Sequence, residues 1–158
     1  KYLDFGTDTG KKHDGTLFCF HNTFIAGTPR IGFVGLSAPD TKAVLLNNIF
    51  WGSDKIAWGK STDVKGSNNA VRTSADAPAA LVNTAKIGDP GFVDPGKQDF
   101  HLRAGSPCTN AGAPADQLVY VDGNGKKLTA VVDRQPLPPL KDEPRPKNAV
   151  PDAGAYEQ

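Results

Sequence analysis

Phe20-His21-Asn22-Thr23-Phe24, Leu46-Asn47-Asn48-Ile49-Phe50 and Ser67-Asn68-Asn69-Ala70-Val71 are the stretches on which the fold turns. Aligned, they share the order apolar, polar, Asn, any residue, apolar, weakening in the third copy. Asn22, Asn48 and Asn69 fall 26 and 21 residues apart. A variable period of this size, with short strands and one recurring Asn, predicts a β-solenoid. Each coil is one turn of backbone, and coils stack through hydrogen bonds between parallel strands about 4.8 Å apart. An Asn at the same inward corner of successive coils can bond its neighbours' amides and satisfy the turn's backbone groups. The three asparagines therefore read as a structural ladder rather than as ligands.

The flanking runs support strands. Residues 17–25, 30–36 and 43–51 are rich in β-branched and aromatic side chains and are bounded by Gly, Pro, Ser or Asp. No window sustains a helical period, and Pro78 limits residues 75–85 to one short turn. Strand alternation counted from the asparagines places Phe18, Phe20, Phe24, Val44, Leu46 and Phe50 inside. It turns Leu17, Cys19, His21, Thr23, Leu45, Asn47 and Ile49 outward.

A chain of 158 residues suffices for one domain with a core. Its 17 Gly and 13 Pro exceed average usage without reaching low complexity, so it folds with much turn and loop. The net charge of +1 demands neither nucleic acid nor an anionic membrane as partner. No apolar run is long enough to span a bilayer as a helix. Cys19 and Cys108 lack zinc-site spacing and read as two buried thiols, with a single disulfide as the other option. The start at Lys1 and the lack of Met read as a mature, trimmed or proteolysed product.

From residue 87 the sequence becomes distinctive. Ile87-Gly88-Asp89-Pro90-Gly91-Phe92-Val93-Asp94-Pro95 is followed by Asp99-Phe100-His101-Leu102-Arg103-Ala104-Gly105-Ser106-Pro107-Cys108-Thr109-Asn110-Ala111-Gly112, and the chain closes on Pro151-Asp152-Ala153-Gly154-Ala155-Tyr156-Glu157. Together these resemble the C-terminal end of secreted bacterial right-handed parallel β-helix proteins, a group that includes pectate-lyase-type polysaccharide lyases, related epimerases and surface proteins. The resemblance covers residues 16–158 and is specific to the architecture, not to a reaction. Ala153 departs from the usual Ile, and residues 117–150 are longer than the usual link. The expected fold is all-β: residues 1–15 as a polar loop, 16–112 as parallel β-helix coils, and 113–158 as an irregular capping tail. That tail is expected to hold a β-hairpin turning at Gly123-Asn124-Gly125 and an extended Pro-rich strap at 136–146. Asp122 and Asn124 are spaced like the start of a calcium loop whose remainder is missing, so they read as a turn.

A lyase of this type needs a base and a cation to neutralise a uronate carboxylate. Asp40, Asp54 and Asp63 stand in loop contexts, and Asp89, Asp94 and Asp99 read as turn and cap residues. The outward candidates for carbohydrate contact are His21, Trp51, Lys55, Trp58 and Arg72, with Arg30 and Lys60 beside them. Tryptophan can stack on sugar rings, and basic groups can meet uronates or sulfates. No residue is assigned as catalytic and no metal site is expected in this chain. The resemblance leaves Ca²⁺ and most catalytic residues to a longer protein, because relatives carry them on central coils. The expected role is the C-terminal part of a secreted or cell-surface carbohydrate-active protein of lyase or epimerase type. The rival is a non-catalytic adhesion β-helix. The expected partners are a polysaccharide and whatever covers the open edge near Thr16, either the rest of the same β-helix or a second chain.

Overall fold

The computed structural model describes residues 3–8, 11–12, 15–29, 32–114, 119–121, 124–129, 131–137 and 141–158. The described part is all-β apart from a single 3-10 turn. The chain lays down β1 (Leu3–Phe5), a small ribbon of β2 (Thr7–Asp8) and β3 (Lys11–Lys12), then β4 (Gly15–Phe20) and β5 (Thr23–Ile25). A second pass gives β6 (Val34–Leu36), β7 (Thr41–Leu46) and β8 (Ile49–Trp51), and a third gives β9 (Ala57–Gly59), β10 (Val64–Ser67) and β11 (Ala70–Arg72). A fourth, shorter pass gives β12 (Leu81–Val82) and β13 (Ala85–Ile87).

Three parallel sheets result, in the orders β1-β6-β9, β12-β10-β7-β4 and β13-β11-β8-β5. Every pass visits them in the same sequence. The first sheet gains only a lone parallel bridge, Lys55 to Asp76, from the fourth pass. Residues 1–15, expected to be loop, thus contain a strand that pairs Leu3 with Val34 and Phe5 with Leu36.

The corner between the second and third sheets explains the recurring asparagines. His21, Asn47, Asn68 and Asn83 sit there with φ of 53°, 58°, 54° and 51°. This left-handed conformation is tolerated best by Asn among residues with a Cβ. The following residues, Asn22, Asn48, Asn69 and Thr84, turn inward. Thr84 is a fourth corner that sequence comparison missed, because its side chain is not Asn.

The left-handed residue also corrects the expected alternation. It breaks the pleat between the strand and the inward Asn, so counting back in twos from Asn lands on the wrong face. Cys19, Ala43 and Leu45 fill the interior, whereas Phe18, Phe20 and Val44 point outward and are only half-buried. Leu46 shares that outer face, although it is itself covered. Beyond the corner the expectation holds. Phe24 and Phe50 stack inside with ring centroids 5.0 Å apart, and Phe33 packs 5.2 Å from Phe50. Close stacking of the passes leaves no room for side chains at some positions. Gly66 has φ +152°, and a Cβ there would lie 1.8 Å from the Leu45 carbonyl oxygen.

Ile49 and Ala70, on the outer face of the third sheet, are buried nonetheless. The tail covers them. β14 (Phe92–Asp94) and β15 (Asp99–Leu102) form an antiparallel pair around the 3-10 turn Pro95–Lys97. Phe92, Leu102, Cys108 and Ala153 join Ile49, Ala70 and Ile87 in a second apolar cluster. The tail therefore lies along the side of the passes. The expected hairpin is present as β16 (Val119–Val121) paired with β17 (Lys127–Thr129), while Asp122 and Gly123 lie outside the described residues. The Pro-rich stretch, expected as a lone extended strap, is a second hairpin of β18 (Arg134–Leu137) and β19 (Lys141–Pro144). Its prolines are compatible with pairing because the hairpin has free edges.

Candidate functional site

Four side-chain groups carry the chemistry of the described residues, and two of them are structural. The first is the ladder. Asn48 Nδ2 donates to Asn69 Oδ1 at 2.9 Å, and Asn22 Nδ2 donates to Asn48 Oδ1 at 3.1 Å. Asn69 Nδ2 reaches the Leu45 carbonyl. Asn48 and Asn69 are fully buried and Asn22 is half-buried. Asn22, Asn48 and Asn69 are thus joined amide to amide from one pass to the next.

The second group surrounds His21. His21, expected as an outward sugar-contacting residue, is instead only 6% exposed and lies beneath the tail. Arg145, also buried, donates from Nε and Nη2 to Glu157 Oε2 at 3.1 and 2.8 Å. Its Nη1 donates to the carbonyls of Gly154 and Ala155. Its Nη2 lies 3.1 Å from His21 Nδ1. On the other side of the ring, Asn47 Nδ2 lies 2.8 Å from His21 Nε2. Asn47 is held by the tail, since it donates to the Ala113 carbonyl and its Oδ1 accepts from Ala113 N–H. Nε2 therefore accepts, and the ring proton sits on Nδ1 towards the carbonyls of Asp152 and Gly154. Burial first, and the Arg145 charge second, push the His21 pKa down to about 4. Sequence reading missed Arg145 and Glu157 because their partners lie far away in the chain. The only local signal was the Asn-Asn doublet at 47–48 and 68–69, whose first member faces the tail.

The third group lines an open concavity of about 400 Å³ formed by Lys55, Ala57, Trp58, Gly59, Ser61, Thr62, Val64 and Pro78. Val34 and Leu36 point inward, so Gly35 faces out, and it pairs with Trp58. The indole lies across that glycine: a Cβ at Gly35 would sit 2.5 Å from a Trp58 ring carbon. Trp58 is thus a half-exposed platform with a lysine and two hydroxyl residues around it.

The fourth group is Trp51 with Arg72 and Asp54. The Arg72 guanidinium stands 5.9 Å from the Trp51 ring centre and 3.2 Å from Asp54 Oδ1, which also accepts from Ser74. These contacts hold Arg72 on the surface. The structure joins Lys55 with Trp58 and Trp51 with Arg72. Lys60 is exposed beyond the concavity, and Arg30 lies outside the described residues.

The remaining acids have local roles. Asp89 Oδ1 accepts from Gly91 N–H, Asp94 caps the 3-10 turn through Lys97 N–H, and Asp99 accepts from His101 N–H. The His101 side chain also holds the Asp99 carboxyl below its usual range. Burial raises the thiols of Cys19 and Cys108 to about 11 and about 12, and both are free. Neither is an activated nucleophile. Among the described residues no group of three or more His, Cys, Asp or Glu is placed to hold a metal. No helix of the described residues is long and apolar enough to cross a membrane. Comparison with protein families, curated proteins and solved structures returns no match.

Proposed function

We propose that the chain is a C-terminal portion of a right-handed parallel β-helix in an extracellular carbohydrate-active protein of polysaccharide lyase or epimerase type. In this reading the four passes are its coils. The portion acts as scaffold and forms one wall of a glycan-binding face. The repeated left-handed corner with its inward Asn ladder supports the architecture best. The Trp58 concavity supports the binding role, since it combines an aromatic face, a cation and hydroxyl groups. The ligand class is an acidic polysaccharide, bound by stacking on Trp58 and by charge at Lys55.

Affinity electrophoresis of the 158-residue chain in gels containing pectate, alginate or a glycosaminoglycan tests the reading. Retardation by at least one of them is expected. Trp58→Ala is expected to weaken it by up to about tenfold, the value of one aromatic contact. Equal mobility in every gel removes the carbohydrate assignment.

A non-catalytic surface β-helix is the second reading. It is favoured by His21, Arg145 and Glu157, the most buried titratable cluster, being spent on fastening the tail. Unsaturated uronate released by the chain would favour the enzyme. Binding without product would favour the surface protein or a wall of the groove.

A further inference from the structure

We propose that the C-terminal tail is an acid-sensitive latch, closed by neutral His21 and opened when His21 takes a proton. The geometry carries it. Asn47 Nδ2 donates to Nε2 at 2.8 Å, and the Arg145 guanidinium stands beside the other ring nitrogen, with Nη2 3.1 Å from Nδ1. A neutral ring suits this site. A second ring proton would point at the amide of Asn47 and place a cation beside a guanidinium, in a site closed to water.

The groups facing His21 come from three places. From the segment before the last turn comes Arg145, paired with Glu157. From the last turn come the carbonyls of Asp152 and Gly154. From the next corner comes Asn47. The Asp152 carboxylate is occupied elsewhere, accepting from Asn110 and Gln158 N–H. The Glu157 carboxylate accepts from Arg145, Asn148 and the Asp152 N–H. Neither is available to neutralise an imidazolium without giving up bonds that hold the tail.

The same residues fasten the tail to the passes. Gly154 N–H donates to the Asn47 carbonyl at 2.7 Å, and Ala155 N–H donates to Thr23 Oγ1 at 3.0 Å. Releasing them uncovers Ile49, against whose side chain Gly154 lies, so opening exposes part of the apolar outer face of the third sheet. The sign follows from the lowered pKa. The folded state disfavours the proton, so the latch is fully closed above the unfolded value near 6.5 and weakens as pH falls towards about 4.

His21→Asn is the discriminating variant. Asn occupies the same left-handed corner at positions 47, 68 and 83, so the backbone accepts it. Hydrogen exchange of the intact chain, corrected for intrinsic rates, is followed from neutral pH to about pH 4 on peptides covering 145–158 and 41–51. In the wild type the tail peptide is expected to lose protection while the 41–51 peptide keeps it. In H21N the tail's loss is expected to move down by about one pH unit or more. Identical tail profiles in the two proteins overturn the proposal, as does simultaneous loss in both peptides. If H21N does not fold, NMR titration of the wild-type His21 ring decides. Protonation coincident with tail release supports the latch, and protonation under a protected tail overturns it.

Discussion

Asn48 uses every hydrogen-bonding site of one buried amide. Its Oδ1 accepts from the backbone and side chain of Asn22, and its Nδ2 donates to Asn69 Oδ1 and the Cys19 carbonyl. Three passes are thereby tied through one side chain. Asn48→Ala strands buried partners on both sides and is expected to cost about 1–3 kcal/mol in urea unfolding. A loss no larger than at an exposed loop position would show that the ladder is incidental. This role was legible in the sequence because the requirement is local: an amide at a fixed corner must meet an amide one pass away. The orientation of the preceding strand was not legible. The apolar pattern of the strands does not announce that residues 21 and 47 take φ of 53° and 58°, and those torsions exchange the faces of Phe18 and Phe20 with that of Cys19, and the face of Val44 with those of Ala43 and Leu45.

The strands show the same division between local and distant causes. β4, β7 and β8 were legible from apolar runs bounded by turn residues. β18 and β19 were not, because Pro136 and Pro144 argue against strand when their partner is unknown. The position of the tail depends on Thr23, His21 and Asn47, more than 60 residues earlier, and no short-range pattern encodes it. The candidate site shows this too. Trp58 and Lys55 were legible as residue types, but the glycine that seats the indole lies on the neighbouring strand β6. That pairing yields a prediction at the scale of the strand. Gly35→Val places a branched side chain where the ring lies, leaves Val34 and Leu36 inward, and lifts Trp58 from the sheet. Tryptophan fluorescence is expected to shift towards that of exposed indole, and polysaccharide retardation to fall as in Trp58→Ala. An unchanged spectrum would mean that the ring does not rest on the sheet in solution.

The molecule's two ends differ, and the difference sets its behaviour in solution. At the fourth pass the interior row Phe24, Phe50, Val71 finishes at Lys86, which pairs with Val71 and is exposed, so this end closes on a charge. At the first pass the outermost strands are β1, β4 and β5, each without a further parallel neighbour among the described residues. Leu3, Phe5, Leu17 and Phe24 are only half-buried there. The ladder is open at the same end. Asn48 and Asn69 donate to carbonyls of the pass before, whereas Asn22 Nδ2 turns back to Phe20 of its own strand. β4 spans six residues, Gly15–Phe20, and contains neither Lys nor Pro, the residues that usually protect an edge from pairing. Its row of backbone groups is a template for another strand, and the apolar rim gives that pairing a driving force. The 158-residue chain is therefore expected to self-associate through β4 as concentration rises, seen as increasing mass in size-exclusion chromatography with light scattering. Thr16→Glu puts a charge on that edge, opposite Lys42 of β7, and is expected to reduce the association without lowering the unfolding midpoint. A monomer at every concentration, in both proteins, would show that the edge is already covered and that the first pass closes the stack by itself.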